Sequence, residues 1–141
     1  MNRTTNNEYY TYINVNPKNK YGGDCVVRAI ALALNQSWEK TVREMTELGI
    51  KHGLVLNDKK LYPKYLKLKG FREVKEPRDI NNKKITIRDY LKYKFVLKAV
   101  VVNAGSHHVT CIKDNKVNDI WDCSKCTMHK YWIKGENDEI L

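Results

Sequence analysis

The chain has 141 residues, 42% of them hydrophobic and 10% aromatic, and a formal net charge of +10 at pH 7. This length and composition predict one globular domain, 1–141, with residues 1–8 and 134–141 as flexible ends, and argue against intrinsic disorder. Residues 1–8 are polar and no apolar run approaches membrane-spanning length, so we expect neither a signal peptide nor a membrane anchor, and a reducing cytoplasm as the compartment.

The net charge of +10 indicates which kinds of binding partner to consider. Lysines are spread over nearly the whole chain without a run of five or six, and no recognised nucleic-acid-binding motif is present. Nucleic acid is therefore not favoured as a partner, and an acidic protein fits the charge at least as well.

The first half of the chain is predicted to be mainly helical. A strand or packed arm at 8–15 and a loop opened by Asn16-Pro17 precede a helix in which nearly every residue after Cys25 is apolar. A helix that is apolar on all sides must be buried on all sides. Two further helices are predicted from apolar residues at helical spacing. They cover Trp38–His52, with Ser37 as N-cap and Gly53 at its end, and 59–69, with Asn57-Asp58 as cap and Gly70 after it.

The second half of the chain has the composition and the turn signals of strands. A capping-box pattern over Thr86-Ile87-Arg88-Asp89 predicts one short helix that ends near Tyr93. The predicted strands are Phe71–Val74, 95–102, 107–113 and 116–122, and a hairpin turn at Asp114-Asn115 joins the last two. Helices followed by an antiparallel sheet place the chain in the α+β class.

Cys25 stands where a nucleophile would be presented. It follows the glycine-rich turn Tyr21-Gly22-Gly23-Asp24 and opens the first helix, with Asp24 as its N-cap. The partial positive charge at a helix N-terminus favours a thiolate and lowers the cysteine pKa. The alternative is that Cys25 is a small apolar residue at the start of a core helix.

The predicted sheet carries candidate partners for this thiol. His108 stands at the head of a strand, and Asp119 and Asp122 lie on the strand that pairs back against it. A cysteine nucleophile needs a base, and the base needs a carboxylate or amide that orients it. Neighbouring residues on a strand face opposite sides, so His107 and His108 cannot both serve, and we prefer His108.

Three sequence blocks carry a family resemblance: GDCVVRA at 23–29, SHHV at 106–109 and DIWDCS at 119–124. Together they resemble small phage-borne proteins of the papain-like cysteine peptidase superfamily, over about 16–124. The resemblance implies a papain-like fold, in which a buried cysteine-bearing helix packs on an antiparallel sheet. It also implies a peptidase or isopeptidase that acts on a protein or peptide amide, with a host or defence protein as the target.

The resemblance further assigns roles to individual residues. It implies that Cys25 is the nucleophile, His108 the base and Asp122 the orienting acid, while Asp119 and His107 remain as alternatives. The alternative functions on the same scaffold are another thiol acyl chemistry, such as deamidation or transglutamination, and a non-catalytic protein that binds and inhibits a host factor.

An amide side chain about six residues before the cysteine is also implied by the resemblance. In the superfamily it joins the backbone N–H of the cysteine in an oxyanion hole. Asn19 stands at that spacing, and Asn16 is the alternative donor.

A rival reading is a zinc site in the segment Cys123-Ser124-Lys125-Cys126-Thr127-Met128-His129. Cys123, Cys126 and His129 could supply three ligands, with Cys111 or His107 as a fourth. A structural zinc site usually needs a second, separated ligand pair, and no clear pair is present. We therefore expect no metal and no cofactor, and we expect Cys123 to pack beside the acid.

Overall fold

The computed structural model describes residues 5–96, 98–134 and 139–140. The four helices of this part are α1 (Cys25–Leu34), α2 (Trp38–His52), α3 (Leu61–Leu68) and α4 (Ile87–Tyr93). Its eight strands are β1 (Tyr10–Tyr12), β2 (Phe71–Val74), β3 (Phe95–Val96), β4 (Val100–Ala104), β5 (His108–Lys113), β6 (Lys116–Asp119), β7 (Met128–Lys134) and β8 (Glu139–Ile140). The mixed α+β class predicted from the sequence is confirmed.

Six strands form the main sheet, in the order β1-β6-β5-β4-β7-β2. Every neighbouring pair in it is antiparallel except one: β1 runs parallel to β6, so that Tyr10 pairs with Val117 and Tyr12 with Asp119. The expectation of an antiparallel sheet is therefore wrong at this edge. The N-terminal segment lies beside β6 as a parallel edge strand, a pairing that the local sequence pattern does not encode. Strands β3 and β8 pair with each other in a separate two-stranded sheet.

Several predicted boundaries also need correction. The expected strand 95–102 is divided into β3 and β4, because the chain bends at Lys98 between them. The third helix starts at Leu61, since the side chain of Asp58 and its carbonyl hold the preceding residues in a turn. Strand β6 ends at Asp119, three residues earlier than expected. Strand β7 was not predicted at all.

Local sequence signals fix the ends of two helices as expected. The Ser37 side chain accepts a hydrogen bond from the Lys40 N–H at the start of α2, and Gly53 ends that helix in the left-handed conformation. At the start of α4, Thr86 and Asp89 form both hydrogen bonds of a capping box.

The sheet separates two hydrophobic layers, because alternate residues of its strands face opposite sides. One face packs α4 against buried strand residues that include Val100, Val102 and Ile112. The other face packs α1, α2 and α3 against Val101, Cys111 and other strand residues. The cysteine-bearing helix α1 is buried from Val27 to Leu32, as its composition predicts.

Within the described residues, no helix combines the length and the apolar character needed to span a membrane. Part of the ends expected to be flexible, namely 1–4, 135–138 and 141, lies outside the described residues. Within the same ends, Asn6 accepts a hydrogen bond from the Tyr12 N–H and Asn7 donates one to Asp122.

The end of α2 contains a close backbone approach that only glycine permits. The Leu54 N–H donates a 2.8 Å hydrogen bond to the Gly49 carbonyl, and a Cβ at Gly49 would overlap the Leu54 carbonyl oxygen.

We therefore expect Gly49→Ala to lower the free energy of unfolding by about 1–2 kcal/mol, since overpacking outweighs the better helix propensity of alanine. Urea unfolding measures the change. Gly22→Ala is the matched control, because a Cβ at Gly22 meets no atom within 4 Å. Equal stability of the two variants would contradict the packing described for this turn.

Candidate active site

A cleft of about 650 Å³ opens at the N-terminal end of α1. One wall is the loop that precedes the helix, and the opposite wall is the start of β5 together with Ile120 and Trp121. A third side comes from 56–59 and Tyr62 of α3. Both Cys25 and His108 lie in the wall of this cleft.

The thiol of Cys25 lies between two hydrogen-bonding groups of β5. The His108 ring and the backbone N–H of Val109 both interact with it and lower its pKa. Cys25 is partly exposed in its position at the start of α1, so a reagent in the cleft can reach it. The sequence-predicted nucleophile and base are therefore in contact.

On its other side, His108 contacts Asp119. The His108 Nε2 atom lies 2.7 Å from Asp119 Oδ2, which leaves Nδ1 as the nitrogen that can face the thiol. The same carboxylate accepts hydrogen bonds from the Thr110 hydroxyl at 2.6 Å and from the Ile120 N–H at 2.7 Å. These bonds fix the carboxylate, and the carboxylate fixes the ring.

Asp122, which the resemblance favoured as the acid, lies elsewhere. Its carboxylate accepts hydrogen bonds from the Ser124 hydroxyl and from Asn7, and it forms an ion pair with Arg88 at 3.4 Å. Because β6 ends at Asp119, Asp122 has left the sheet and does not oppose His108. The structure therefore brings Asp119, the alternative, to the histidine.

His107 also lines the cleft, but the contacts with the thiol and with Asp119 described above are made by His108. His107 lies exposed in the turn between β4 and β5, whereas His108 is the first residue of β5 and is partly buried. Of the two neighbouring histidines, it is His108 whose ring contacts both the thiol and a carboxylate.

Electrostatics at the site favour a charged thiol–imidazole pair. Burial raises the pKa of the Cys25 thiol, but the hydrogen bonds from His108 and Val109 and the nearby charges of His108 and Arg28 outweigh it, so that the pKa is lowered. Burial lowers the pKa of His108, but its hydrogen bonds to Asp119, Cys123 and Cys25 raise it well above the ordinary value. Burial likewise raises the pKa of Asp119, and its bond to His108 reverses this effect and lowers it.

Asp24 occupies the N-cap position of α1, but it does not cap the helix with its side chain. Its carboxylate accepts hydrogen bonds from the Asn16 amide and the Trp38 indole, each 2.9 Å long, and forms an ion pair with Arg28. The expected capping bond is therefore absent, because three other donors hold the carboxylate. Asp24 instead ties the preceding loop and the start of α2 to the cysteine helix.

Neither amide expected in the oxyanion hole reaches the cleft. Asn19 is exposed in a left-handed turn, and the Asn16 side chain is buried against Asp24 and the Lys18 N–H. The amide side chains that do line the cleft are those of Asn57 and of Asn103 on β4, and the Asn103 oxygen lies 3.5 Å from the Tyr62 hydroxyl. No sequence pattern marks Asn103, because the pairing of β4 with β5 is what brings it to this wall.

Trp121 packs against the histidine. Its ring lies 5.0 Å from the His108 ring, centroid to centroid, at an interplanar angle of 51°. This contact restricts rotation of the imidazole and shields its bond to Asp119 from water. The residue belongs to the DIWDCS block, but nothing in the spacing singled it out.

The structure does not bring Cys123, Cys126 and His129, the candidate zinc ligands, together as one group. Among the described residues, the group that could hold a metal is His108, Asp119 and Cys123, and it includes neither Cys126 nor His129. The 2.7 Å separation of His108 Nε2 and Asp119 Oδ2 is a hydrogen-bond distance, shorter than the spacing of two ligands around one zinc ion. Cys123 Sγ lies 3.7 Å from the Asp119 carboxylate, so it packs beside an acid as expected.

Comparison with known proteins adds no assignment: no protein-family model, curated protein or solved structure matches the chain. The chemistry of the site therefore follows from its own geometry. That geometry combines an accessible thiol, a base in contact with it and a buried carboxylate behind the base, which is the set that nucleophilic catalysis by cysteine requires.

We expect Cys25 to react with iodoacetamide at about pH 6 well before the other three thiols, because only a thiolate attacks this reagent. Burial raises the pKa of each of the others: Cys111 to about 12, Cys123 to about 11, and Cys126 by a smaller amount. Peptide mass spectrometry after partial labelling gives the order.

The matched variants for this measurement are His108→Ala and His107→Ala. The first should slow labelling of Cys25 by removing its hydrogen bond, and the second should leave it unchanged. Faster labelling of Cys123 or Cys126 than of Cys25 would contradict the assignment.

Proposed function

We propose that this protein is a papain-like cysteine hydrolase that cleaves an amide bond of a protein or peptide. The observation that carries the proposal is the continuous contact from the Cys25 thiol through the His108 ring to the Asp119 carboxylate. The lowered pKa of the thiol and the raised pKa of the imidazole support a thiolate–imidazolium pair at neutral pH.

In the first half of the reaction, the Cys25 thiolate attacks the substrate carbonyl carbon. A C–S bond forms, and the carbonyl oxygen takes up the electron pair while it lies near the N-terminus of α1, whose partial positive charge favours an anion. His108 then gives its proton to the amide nitrogen. The C–N bond breaks and the amine leaves, with the acyl group held on Cys25 as a thioester.

In the second half, neutral His108 takes a proton from water, whose oxygen attacks the thioester carbonyl. The C–S bond breaks, the carboxylic acid leaves, and the thiolate–imidazolium pair is restored. Throughout both halves, Asp119 keeps one imidazole nitrogen bonded, so that the other remains directed at the thiol.

The cleft fits an extended substrate that approaches α1 closely. Gly22 and Gly23 of its wall carry no side chain, and a Cβ at either would meet no atom within 4 Å, so this wall is open. Together with the net charge of +10, this favours an acidic protein segment, and a host protein of a phage would be one source.

We expect wild-type protein to release several equivalents of p-nitrophenol per molecule from p-nitrophenyl acetate, because both acylation and deacylation occur at the site. The rate should rise with pH through the lowered pKa of Cys25, which creates the thiolate. It should fall again through the raised pKa of His108, which removes the imidazolium. Stopped-flow absorbance measures both features.

Single substitutions distinguish the roles of the nucleophile, the base and the orienting acid. Cys25→Ala should abolish turnover, His108→Ala should lower it by about 10²–10⁴-fold, and Asp119→Asn should lower it less. Asp122→Asn is the matched control, since this acid lies away from the histidine, and it should leave the rate almost unchanged. A mixed peptide library analysed by mass spectrometry then tests the amide specificity.

Two outcomes would overturn the proposal. A single equivalent of p-nitrophenol without turnover would indicate a reactive thiol in a binding protein. Turnover that is insensitive to His108→Ala would remove the base from the mechanism.

A further inference from the structure

Arg28 connects the cysteine helix to the candidate catalytic acid. It lies three residues after Cys25 in α1 and is only 5% exposed. One guanidinium nitrogen, Nη1, contacts the Asp24 carboxylate, and Nη2 lies 3.7 Å from Asp119 Oδ1. A single buried cation thus lies between the partly buried carboxylate of Asp24 and the buried carboxylate of Asp119.

Stability alone is a poor explanation for this arginine. Its Nε atom is the one buried side-chain nitrogen or oxygen without a hydrogen-bond partner among the described residues. A buried donor without a partner costs free energy, and a buried ion pair is often no more stable than apolar residues of similar volume. The position of Arg28 beside Asp119 therefore requires an explanation other than stability.

We infer that Arg28 is a positioning residue, which holds the Asp119 carboxylate in place behind His108 and supplies positive charge to the Cys25 thiolate. The inference rests on the proposed function. Asp119 uses its two oxygens differently: Oδ2 bonds His108 and Thr110, while Oδ1 faces Arg28 and the Ile120 N–H. Arg28 therefore contacts the oxygen that the histidine leaves unused.

The charges around the thiol alternate in sign along this path. Asp24 is the residue before α1 and Arg28 lies within α1, while His108 comes from β5 and Asp119 from β6. Other titratable groups beside the site are the phenol of Tyr62 on α3 and the thiol of Cys123. The cleft is also lined by further titratable residues, namely Tyr21, Asp58, Lys59 and His107. Burial raises the pKa of Tyr62 and of Cys123, so both remain neutral at physiological pH, and Arg28 is the buried cation among these groups.

Arginine suits this position because its planar fork can contact two carboxylates at once. Lysine would keep the charge but has a single ammonium group, which cannot bridge both partners in the same way. The two substitutions Arg28→Gln and Arg28→Lys therefore separate charge from bridging.

The test is the pH dependence of Cys25 alkylation by iodoacetamide, which requires no substrate. In the wild type, the midpoint should lie below that of an ordinary thiol, about 8.5. Arg28→Gln should raise the midpoint by about 1 unit, since an opposite charge nearby has been removed. Arg28→Lys should keep most of the low midpoint but lower turnover of p-nitrophenyl acetate.

Two further variants control for structure. The double variant Asp24→Asn/Arg28→Gln removes both members of the ion pair, so the Asp24 carboxylate is not left without its cation, and this variant should still show the raised midpoint. Arg88→Gln removes another carboxylate-bound arginine, one that contacts Asp122 and Ser124, and should leave the midpoint unchanged.

The outcomes distinguish the inference from the function on which it rests. If the wild-type midpoint is low and neither Arg28→Gln nor the double variant raises it, Arg28 is not a positioning residue, and the proposed hydrolase stands. If the wild-type midpoint is that of an ordinary thiol, the proposed function itself fails. If neither glutamine variant folds, Arg28→Lys decides, and unchanged turnover in it overturns the inference.

Discussion

The buried carboxylate of Asp119 is the group on which the rest of the site depends. A charged carboxylate that is 4% exposed requires compensation for its lost hydration. It receives that compensation from His108, Thr110, the Ile120 N–H and, at 3.7 Å, Arg28. These donors come from β5, from the end of β6 and from α1, so one anion joins these three elements.

The register of the sheet is what makes this convergence possible. Strands β5 and β6 pair with Cys111 opposite Asn118 and Ile112 opposite Val117, so Thr110 comes opposite Asp119. Residues two apart on a strand share a face, which places His108 on the same side as Thr110 and Asp119. A slip of one residue would turn every one of these side chains to the other face. The hydrophobic residues that alternate with them, Val109 and Cys111, oppose such a slip because they are buried against the helical layer.

The parts of the fold that local chemistry controls could be predicted from the sequence. The helix Trp38–His52 and the short helix after Thr86 have caps and apolar spacing that act within a few residues. The turn at Asp114-Asn115 takes positive φ at both residues, as a tight hairpin requires. Strand β7 was missed because its buried residues do not alternate: Met128 is followed by two less buried positions and then by three buried ones.

The parts of the site that depend on distant contacts could be predicted only in outline. Cys25 and His108 were found because a glycine-rich turn and a strand start mark them locally. The choice of Asp119 over Asp122 depends on where β6 ends, and the loss of Asn19 as a donor depends on the path of an exposed loop. Asp24 is a further case in which local sequence is not enough. It stands at the position of a helix cap, but its carboxylate is bound by Asn16, Trp38 and Arg28 instead.

The most direct test of the account is the protonation state of the His108 ring, observed by nitrogen NMR on protein labelled at histidine. We expect an imidazolium at neutral pH, hydrogen-bonded through Nε2, because the Asp119 carboxylate and the Cys25 thiolate raise the pKa of the ring. Replacement of Cys25 by alanine removes the thiolate partner and should lower that pKa. A neutral His108 ring at pH 7 in the wild-type protein, unchanged in the Cys25→Ala variant, would contradict the thiolate–imidazolium pair on which the proposed chemistry depends.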